Sequence, residues 1–242
     1  FMAETKVNDV ATMLFASNYF AGGSNRAWYY PEGGALTEIT DTDFPPKQGT
    51  PLYMVGNFVS MDGYNFIMTS DGKVWHSDLN SISGWSALSY LTAQDYPGIG
   101  KGLARQGRTI VAFKSGNVEF FKNAGNAAGS VLAREGSSIS VGCTSQYGIV
   151  QYGDRIYWVG TEEGKVGVYQ LAGLSHKKIS TAEVDSLFAE AAATEASLMV
   201  ITSYGKPYLY LQTSRGAGSG YAFDPETGIW QLWTFSVAPY AS

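Results

Sequence analysis

Thr109-Ile110-Val111-Ala112-Phe113, a turn at Ser115-Gly116, then Val118-Glu119-Phe120-Phe121 reads as an apolar strand, a glycine turn and a second strand rich in aromatics. β-Branched and aromatic residues suit strands, and glycine supplies the backbone freedom that a tight hairpin turn needs. The same unit recurs four more times. It appears as Ala27-Trp28-Tyr29-Tyr30 turning at Gly34, and as Tyr64-Asn65-Phe66-Ile67-Met68 turning at Asp71-Gly72 into Val74-Trp75. It returns as Arg155-Ile156-Tyr157-Trp158-Val159 turning at Gly164 into Val166-Gly167-Val168-Tyr169, and as Tyr208-Leu209-Tyr210-Leu211 turning near Gly220 into Tyr221-Ala222-Phe223. The turn glycines are 38, 44, 48 and 56 residues apart. Four-stranded propeller blades take about 40 to 50 residues each. The spacing therefore predicts an all-β, β-propeller-like chain of about five to six blades. A sandwich or jelly roll, which also shows short strands with frequent turns, is the competing architecture.

Composition agrees with an all-β chain. Of 242 residues, 45% are apolar, 14% aromatic and 15% charged, and 29 are glycine. Average chains carry about 25% charged residues, so a disordered polar tail is excluded. Large β domains run to roughly 200 to 250 residues as one unit, so residues 1–242 are expected to form a single β-propeller domain. A Phe ahead of Met2 leads us to expect a piece of something longer. The single Cys143 has no partner for an intrachain disulfide and no His cluster for a zinc site, and reads as a buried small hydrophobe. No apolar run approaches the ~18 residues of a membrane span, so no membrane anchor is expected. Sixteen Lys and Arg against 21 Asp and Glu give a net charge of −5. That balance argues against a protein that coats nucleic acid, because such binding rests on cations neutralising phosphates.

One helix interrupts the strands. Ser180-Thr181-Ala182-Glu183 reads as a capping box, and Val184, Leu187, Phe188, Ala191 and Ala192 follow at helical spacing. The expectation is one inserted helix near residues 181–194. Val7 to Phe20 is expected to supply a strand that closes the circle with Trp230 to Phe235.

The chemistry on offer is thin, and neither a catalytic nor a metal site nor a cofactor is expected. His76 and His176 lie in no nucleophile or metal motif. Gly98-Ile99-Gly100-Lys101-Gly102 lacks the length and the Lys-Ser/Thr ending of a phosphate loop and reads as a turn. Asp62, Asp95, Asp154 and Glu162 are candidates for a carboxylate pair of glycoside hydrolysis, since two blades need no sequence motif to bring such a pair together. Acidic residues that cap turn amides are the simpler explanation of each. Thr69-Ser70-Asp71-Gly72-Lys73-Val74-Trp75 resembles the Asp-box turn of sialidase-like propellers with one residue missing, and Tyr221 to Trp230 is similar to a kelch strand-turn-strand. A carbohydrate-binding or glycoside-hydrolysing β-propeller is therefore the alternative function, and a kelch-type interaction scaffold a third.

A wider likeness points elsewhere. Tyr96-Pro97-Gly98-Ile99-Gly100, Gly107 to Phe113 and Gly116 to Gly125 are followed in order by Tyr147-Gly148-Ile149-Val150 and Asp154 to Gly160. Ile179 to Val184, Tyr204 to Tyr210 and Asp224 to Trp230 complete the series. Together they resemble the packaged-DNA stabilisation, or tail nozzle, proteins of short-tailed bacteriophages, over roughly residues 52 to 235. The resemblance implies a non-enzymatic structural virion protein that assembles as a homo-oligomeric ring, usually a hexamer. Such rings sit below the portal and adaptor and close the channel on packaged DNA. It implies placement in the virion tail after assembly in the bacterial host cytoplasm, with portal, adaptor and other tail proteins as partners. Double-stranded DNA would pass through the lumen without specific contact. Lys101, Arg105 and Arg108 read as one basic loop and are the candidate DNA- or partner-facing residues. Tyr29, Tyr30, Trp85, Tyr90 and Tyr96 are candidates for exposed ring contacts.

Overall fold

The alternation along the hairpins becomes five antiparallel sheets in a computed structural model that describes residues 2–7, 10–17, 26–45, 53–136, 138–190, 193–213 and 219–234. The first sheet has the order β1 (Met2–Val7), β2 (Val10–Ser17), β3 (Arg26–Pro31), β4 (Thr37–Glu38). The second runs β5 (Met54–Met61), β6 (Tyr64–Thr69), β7 (Lys73–Ser77), β8 (Trp85–Thr92), and the third β9 (Gly100–Gln106), β10 (Thr109–Lys114), β11 (Val118–Asn123), β12 (Leu132–Arg134). The fourth holds β13 (Gly142–Cys143), β14 (Ile149–Tyr152), β15 (Arg155–Glu162), β16 (Lys165–Ala172) and β17 (Ser175–Lys178), with β13 and β14 both pairing β15. The fifth runs β18 (Ser197–Ser203), β19 (Lys206–Gln212), β20 (Ser219–Asp224), β21 (Ile229–Thr234). Each hairpin follows the chain, and the fold class is a five-bladed β-propeller with a single helix. Hairpin turns at Gly72 and Gly164 take φ of 85° and 77°, which L side chains avoid. Gly220 lies inside β20 rather than at its turn, and residues 214–218 lie outside the described residues.

The chain divides into two compact units, Phe1–Gly142 and Cys143–Ser242. In the first unit β6 serves two cores at once. Phe66 and Met68 join Val59, Leu103, Ile110 and Phe121 between the second and third sheets, while Ile67 joins Leu14, Phe58 and Trp85 between the first and second. A strand covered on both faces is buried without alternation, as Asn65–Thr69 is, and its centre Phe66-Ile67-Met68 is apolar throughout. Each such side chain contributes about 1.5–3 kcal/mol when fully buried.

In the second unit Tyr157, Val159, Val168, Leu209, Leu211 and Phe223 form the core between two sheets and helix α1 (Ala182–Glu190). Val184 and Phe188 of α1 are buried and Leu187 packs beside them, while Ala191 and Ala192 lie outside the described residues. The helix is shorter than the 181–194 expected, and a 3₁₀ turn at Ala193–Glu195 follows it. Its cap also differs. Thr181 Oγ1 accepts the Val184 N–H at 3.4 Å, so Thr181 is the N-cap. Ser180 instead accepts the Val168 N–H at 2.9 Å and donates to Asp185 at 2.5 Å, and Glu183 takes the Tyr221 hydroxyl at 3.1 Å.

The expected closing strand is corrected as well. β2 is hydrogen-bonded along one edge to β1 and along the other to β3, so Val10–Ser17 has no open edge to offer Trp230 to Phe235. Cys143 is buried with its Sγ 3.2 Å from the Ser145 carbonyl.

Candidate functional site

The third sheet carries charge into its own core. In the β10–β11 pairing, Ala112 stands opposite Glu119 and Ile110 opposite Phe121, so Ile110, Ala112, Lys114, Glu119 and Phe121 share one face. That face packs against the second sheet, and Lys114 and Glu119 are only 2% and 1% exposed. Lys114 Nζ donates to the Ala93 carbonyl at 2.7 Å and to the Tyr96 carbonyl, and lies 3.6 Å from Glu119 Oε1. Glu119 Oε1 also accepts the Asp95 N–H at 3.1 Å and Asn117 Nδ2 at 3.2 Å. Arg134, from β12, sits 3.3 Å from Glu119 Oε2, pairs with Asp95, donates to the Thr92 carbonyl at 3.4 Å and lies over the Phe121 ring. Two cations thus meet two carboxylates.

Burying ions is tolerable only when they are paired and hydrogen-bonded, and removing one partner strands the rest. The arrangement has acceptors to spare, since Asn117 Oδ1 and Glu119 Oε2 are buried without a hydrogen-bond donor. What it accomplishes mechanically is to clamp the connection between the second and third sheets. Ala93, Asp95 and Tyr96 are all held by it. The rest of the segment is pinned by backbone: the Ala93 N–H donates to the Gly72 carbonyl at 2.9 Å and the Gly100 N–H to Ser70 at 3.0 Å. Ile99 and Ser115 exchange two further bonds, at 2.8 and 3.0 Å. Between these anchors Tyr96 and Ile99 are 54% and 58% exposed.

Lys101, Arg105 and Arg108 do not form one loop. Lys101 and Arg105 belong to strand β9, and only Arg108 is in the turn after it. Lys101 is half-buried, Arg105 donates to the Ser60 carbonyl at 2.7 Å, and Arg108 reaches Asp62 at 3.4 Å. The two arginines therefore brace the β5–β6 turn. Of the aromatic candidates, Tyr30 and Tyr96 are exposed. Tyr29 is half-buried against the core, and Tyr90 packs tilted against Trp75 with ring centroids 4.6 Å apart. Trp85 is corrected to a core residue, since it is buried, edge-on to Phe44, with its Nε1–H donated to Ile82.

Three of the four candidate carboxylates have structural partners. Asp62 accepts from Arg108 and from Asn123, and Asp95 belongs to the clamp. Asp154 is exposed in the turn before β15, and Glu162 ends that strand 3.0 Å from His176 Nε2. A strand of that length spans about 26 Å at ~3.3 Å per residue, too far for a glycosidase pair. The Gly98–Gly102 segment runs into β9 from Gly100 onward, so only its first part is a turn.

His76 is buried, with Nδ1 2.8 Å from the Ser77 carbonyl and Nε2 3.1 Å from the Val131 N–H. A carbonyl needs a donor and an amide an acceptor, so the ring is the neutral Nδ1–H tautomer. Burial pushes its pKa below the ordinary 6.5, although the backbone groups and Asp78 pull the other way.

Both resembling turns are locks. Asp71 accepts the Thr69 hydroxyl at 2.5 Å and the Lys73 N–H at 3.4 Å, and the Trp75 indole donates to Thr69 at 3.1 Å. Burial raises the Asp71 pKa, but Thr69 and Lys73 outweigh it and hold it below the usual value. Asp224 accepts the Glu226 and Thr227 amides, which lower its pKa, while Trp230 donates to the Ile179 carbonyl at 2.8 Å.

The family model described as bacteriophage P22 Gp10, beta-propeller, matches residues 6–212. The chain belongs to that family. It is accordingly a phage structural protein built on a β-propeller and a virion component. No curated protein matches it. Among solved structures, Kluyvelomyces marxianus Hsv2 is similar at a TM-score of 0.50 and 13% identity, over 94% of this chain and 59% of that one. BamB from Moraxella catarrhalis is similar at a TM-score of 0.47 and 13% identity, over 95% and 63%. The chain thus spans about six-tenths of the length of these structures.

The sequence reading missed Lys114, Glu119 and Arg134. For the first two a signal exists, because period-2 counting puts Lys114 in step with Ile110 and Ala112, and Glu119 in step with Phe121.

Proposed function

We propose that this chain is a tail nozzle subunit that assembles as a ring, a hexamer as the family resemblance implies, beneath the portal and adaptor and keeps packaged DNA from escaping. The observation that carries this reading is the family match over residues 6–212, which includes strands of all five blades. No catalytic role is assigned. The physics of a wall that DNA must later slide past supports it: phosphate-gripping cations would hold DNA with a strong salt-dependent affinity and slow ejection. Here the net charge is −5, and Arg105 and Arg108 are engaged by the neighbouring hairpin. Asp62, Asp71, Asp95 and Glu119 are likewise paired with cations of their own unit. The test is to assemble phage particles with and without this chain and measure the DNA retained per capsid. Particles lacking it should lose their DNA after packaging. Full retention without the chain would contradict the reading.

A further inference from the structure

We propose that the Tyr96–Ile99 tip of one copy seats in a hollow beside Tyr29 of the next copy, a head-to-tail contact that rests on the ring reading above. The tip has the properties of a docking knob. Tyr96 and Ile99 are large, apolar and more than half exposed. The segment Tyr96-Pro97-Gly98-Ile99 carries no charge. It is also held in shape before any partner arrives, by Lys114 on the Tyr96 carbonyl and by the Ile99–Ser115 bonds. A preformed loop with an aromatic at its tip loses little conformational freedom on docking, and such aromatics carry much of an interface's affinity.

The hollow is its complement in chemistry. A cavity of about 350 Å³ opens between the first and second sheets, lined by Val10, Tyr29, Pro31, Asn80, Ile82 and Ser83 among others, with no charged side chain among the described residues. An uncharged knob entering an uncharged hollow strands no ion, and the hydroxyl and amide at the rim can meet the Tyr96 phenol.

The two features sit at opposite ends of one strand. β7 begins beside Gly72, whose carbonyl takes the Ala93 N–H at the root of the knob. β7 ends where Asn80 to Ser83 form a wall of the hollow. Its five residues span about 17 Å at ~3.4 Å per residue. A loop fixed at both ends does not cross that distance, so a chain cannot fill its own hollow. A knob and a hollow on different surfaces make a heterologous contact, which closes into a ring when its rotation allows and otherwise runs on as an open series.

The test uses the full chain, with mass followed by light scattering and sedimentation over a range of concentrations. Tyr96→Asp and Val10→Asp each place a charge on an exposed position of one half of the contact. Each should weaken self-association by roughly tenfold or more while near-ultraviolet circular dichroism stays native. An equimolar mixture of the two variants retains one intact knob and one intact hollow per pair, and should give 1:1 dimers and nothing larger. If Val10→Asp fails to fold, Ser83→Asp tests the same wall. Rings that persist in Tyr96→Asp, or in a folded hollow variant, overturn this contact and leave the ring reading standing. A mixture that forms no dimers overturns it too. A wild-type chain that is monomeric at every concentration overturns both.

Discussion

The segment from the second sheet into the third is held by charges, whereas the segment from the fourth sheet into the fifth is held by the apolar face of a helix. Residues 93–99 depend on Lys114, Glu119 and Arg134 reaching in from three strands. Residues 182–190 depend on Val184, Leu187 and Phe188 lying on a core already formed by the two flanking sheets. The first connection is specified by partners far away in sequence, as the separation of 24 positions between Asp95 and Glu119 illustrates. The second is specified mostly by its own spacing. The difference is between a clamp that fails as a unit and a packed face that weakens one side chain at a time.

The largest break in this contrast should come from Glu119→Gln. It leaves the Lys114 ammonium in the core with carbonyls alone, and urea unfolding should show a loss of about 3–5 kcal/mol. A loss below about 1 kcal/mol would mean that the clamp is not paired as described. Replacing the pair together, as Lys114→Met with Glu119→Leu, should recover much of that loss, because the stranded charge is gone.

Phe188→Ala should cost about 3 kcal/mol by leaving a cavity. Unlike the loss at Glu119, this one should not change between low and high salt, since no charge is involved. Equal salt dependence at the two sites would erase the contrast.

A smaller effect concerns pH in the first unit. Above about pH 6.5 His76 is neutral in both folded and unfolded chains, so it contributes no slope. As the pH falls below that value the unfolded chain takes up a proton first, because burial holds the folded pKa lower. Stability should therefore decline with acidification through the folded value, and His76→Phe should flatten that decline. An unchanged slope in the variant would assign it to other groups. The smallest effect belongs to Arg108→Ala, whose side chain is 86% exposed. It should shift stability by no more than about 0.5 kcal/mol, as exposed ion pairs do.

The hairpins were legible because their signal is local: alternation along a strand and a glycine at the turn are visible in ten residues. The helix was legible for the same reason, although the choice of Thr181 over Ser180 as cap depended on Ser180 being engaged by Val168 and Asp185. Lys114 and Glu119 are charged residues on either side of a turn, and only their register with Ile110 and Phe121 marks the core face. Arg134 and Asp95 carry no such mark, because their pairing depends on how the third sheet lies against the segment before it. Trp85 looked like an interface aromatic until Phe44 and the Ile82 carbonyl enclosed it. Val10–Ser17 looked available for closing the fold because nothing in those residues reveals that Met2–Val7 pairs with them.

The proposed ring of a phage nozzle requires that copies of this chain associate in a closed form. The most direct measurement is the solution mass by light scattering at increasing concentration, with negative-stain images of the same sample. Closed rings of a fixed copy number are expected. A single-chain mass at every concentration, with no rings in the images, would contradict it.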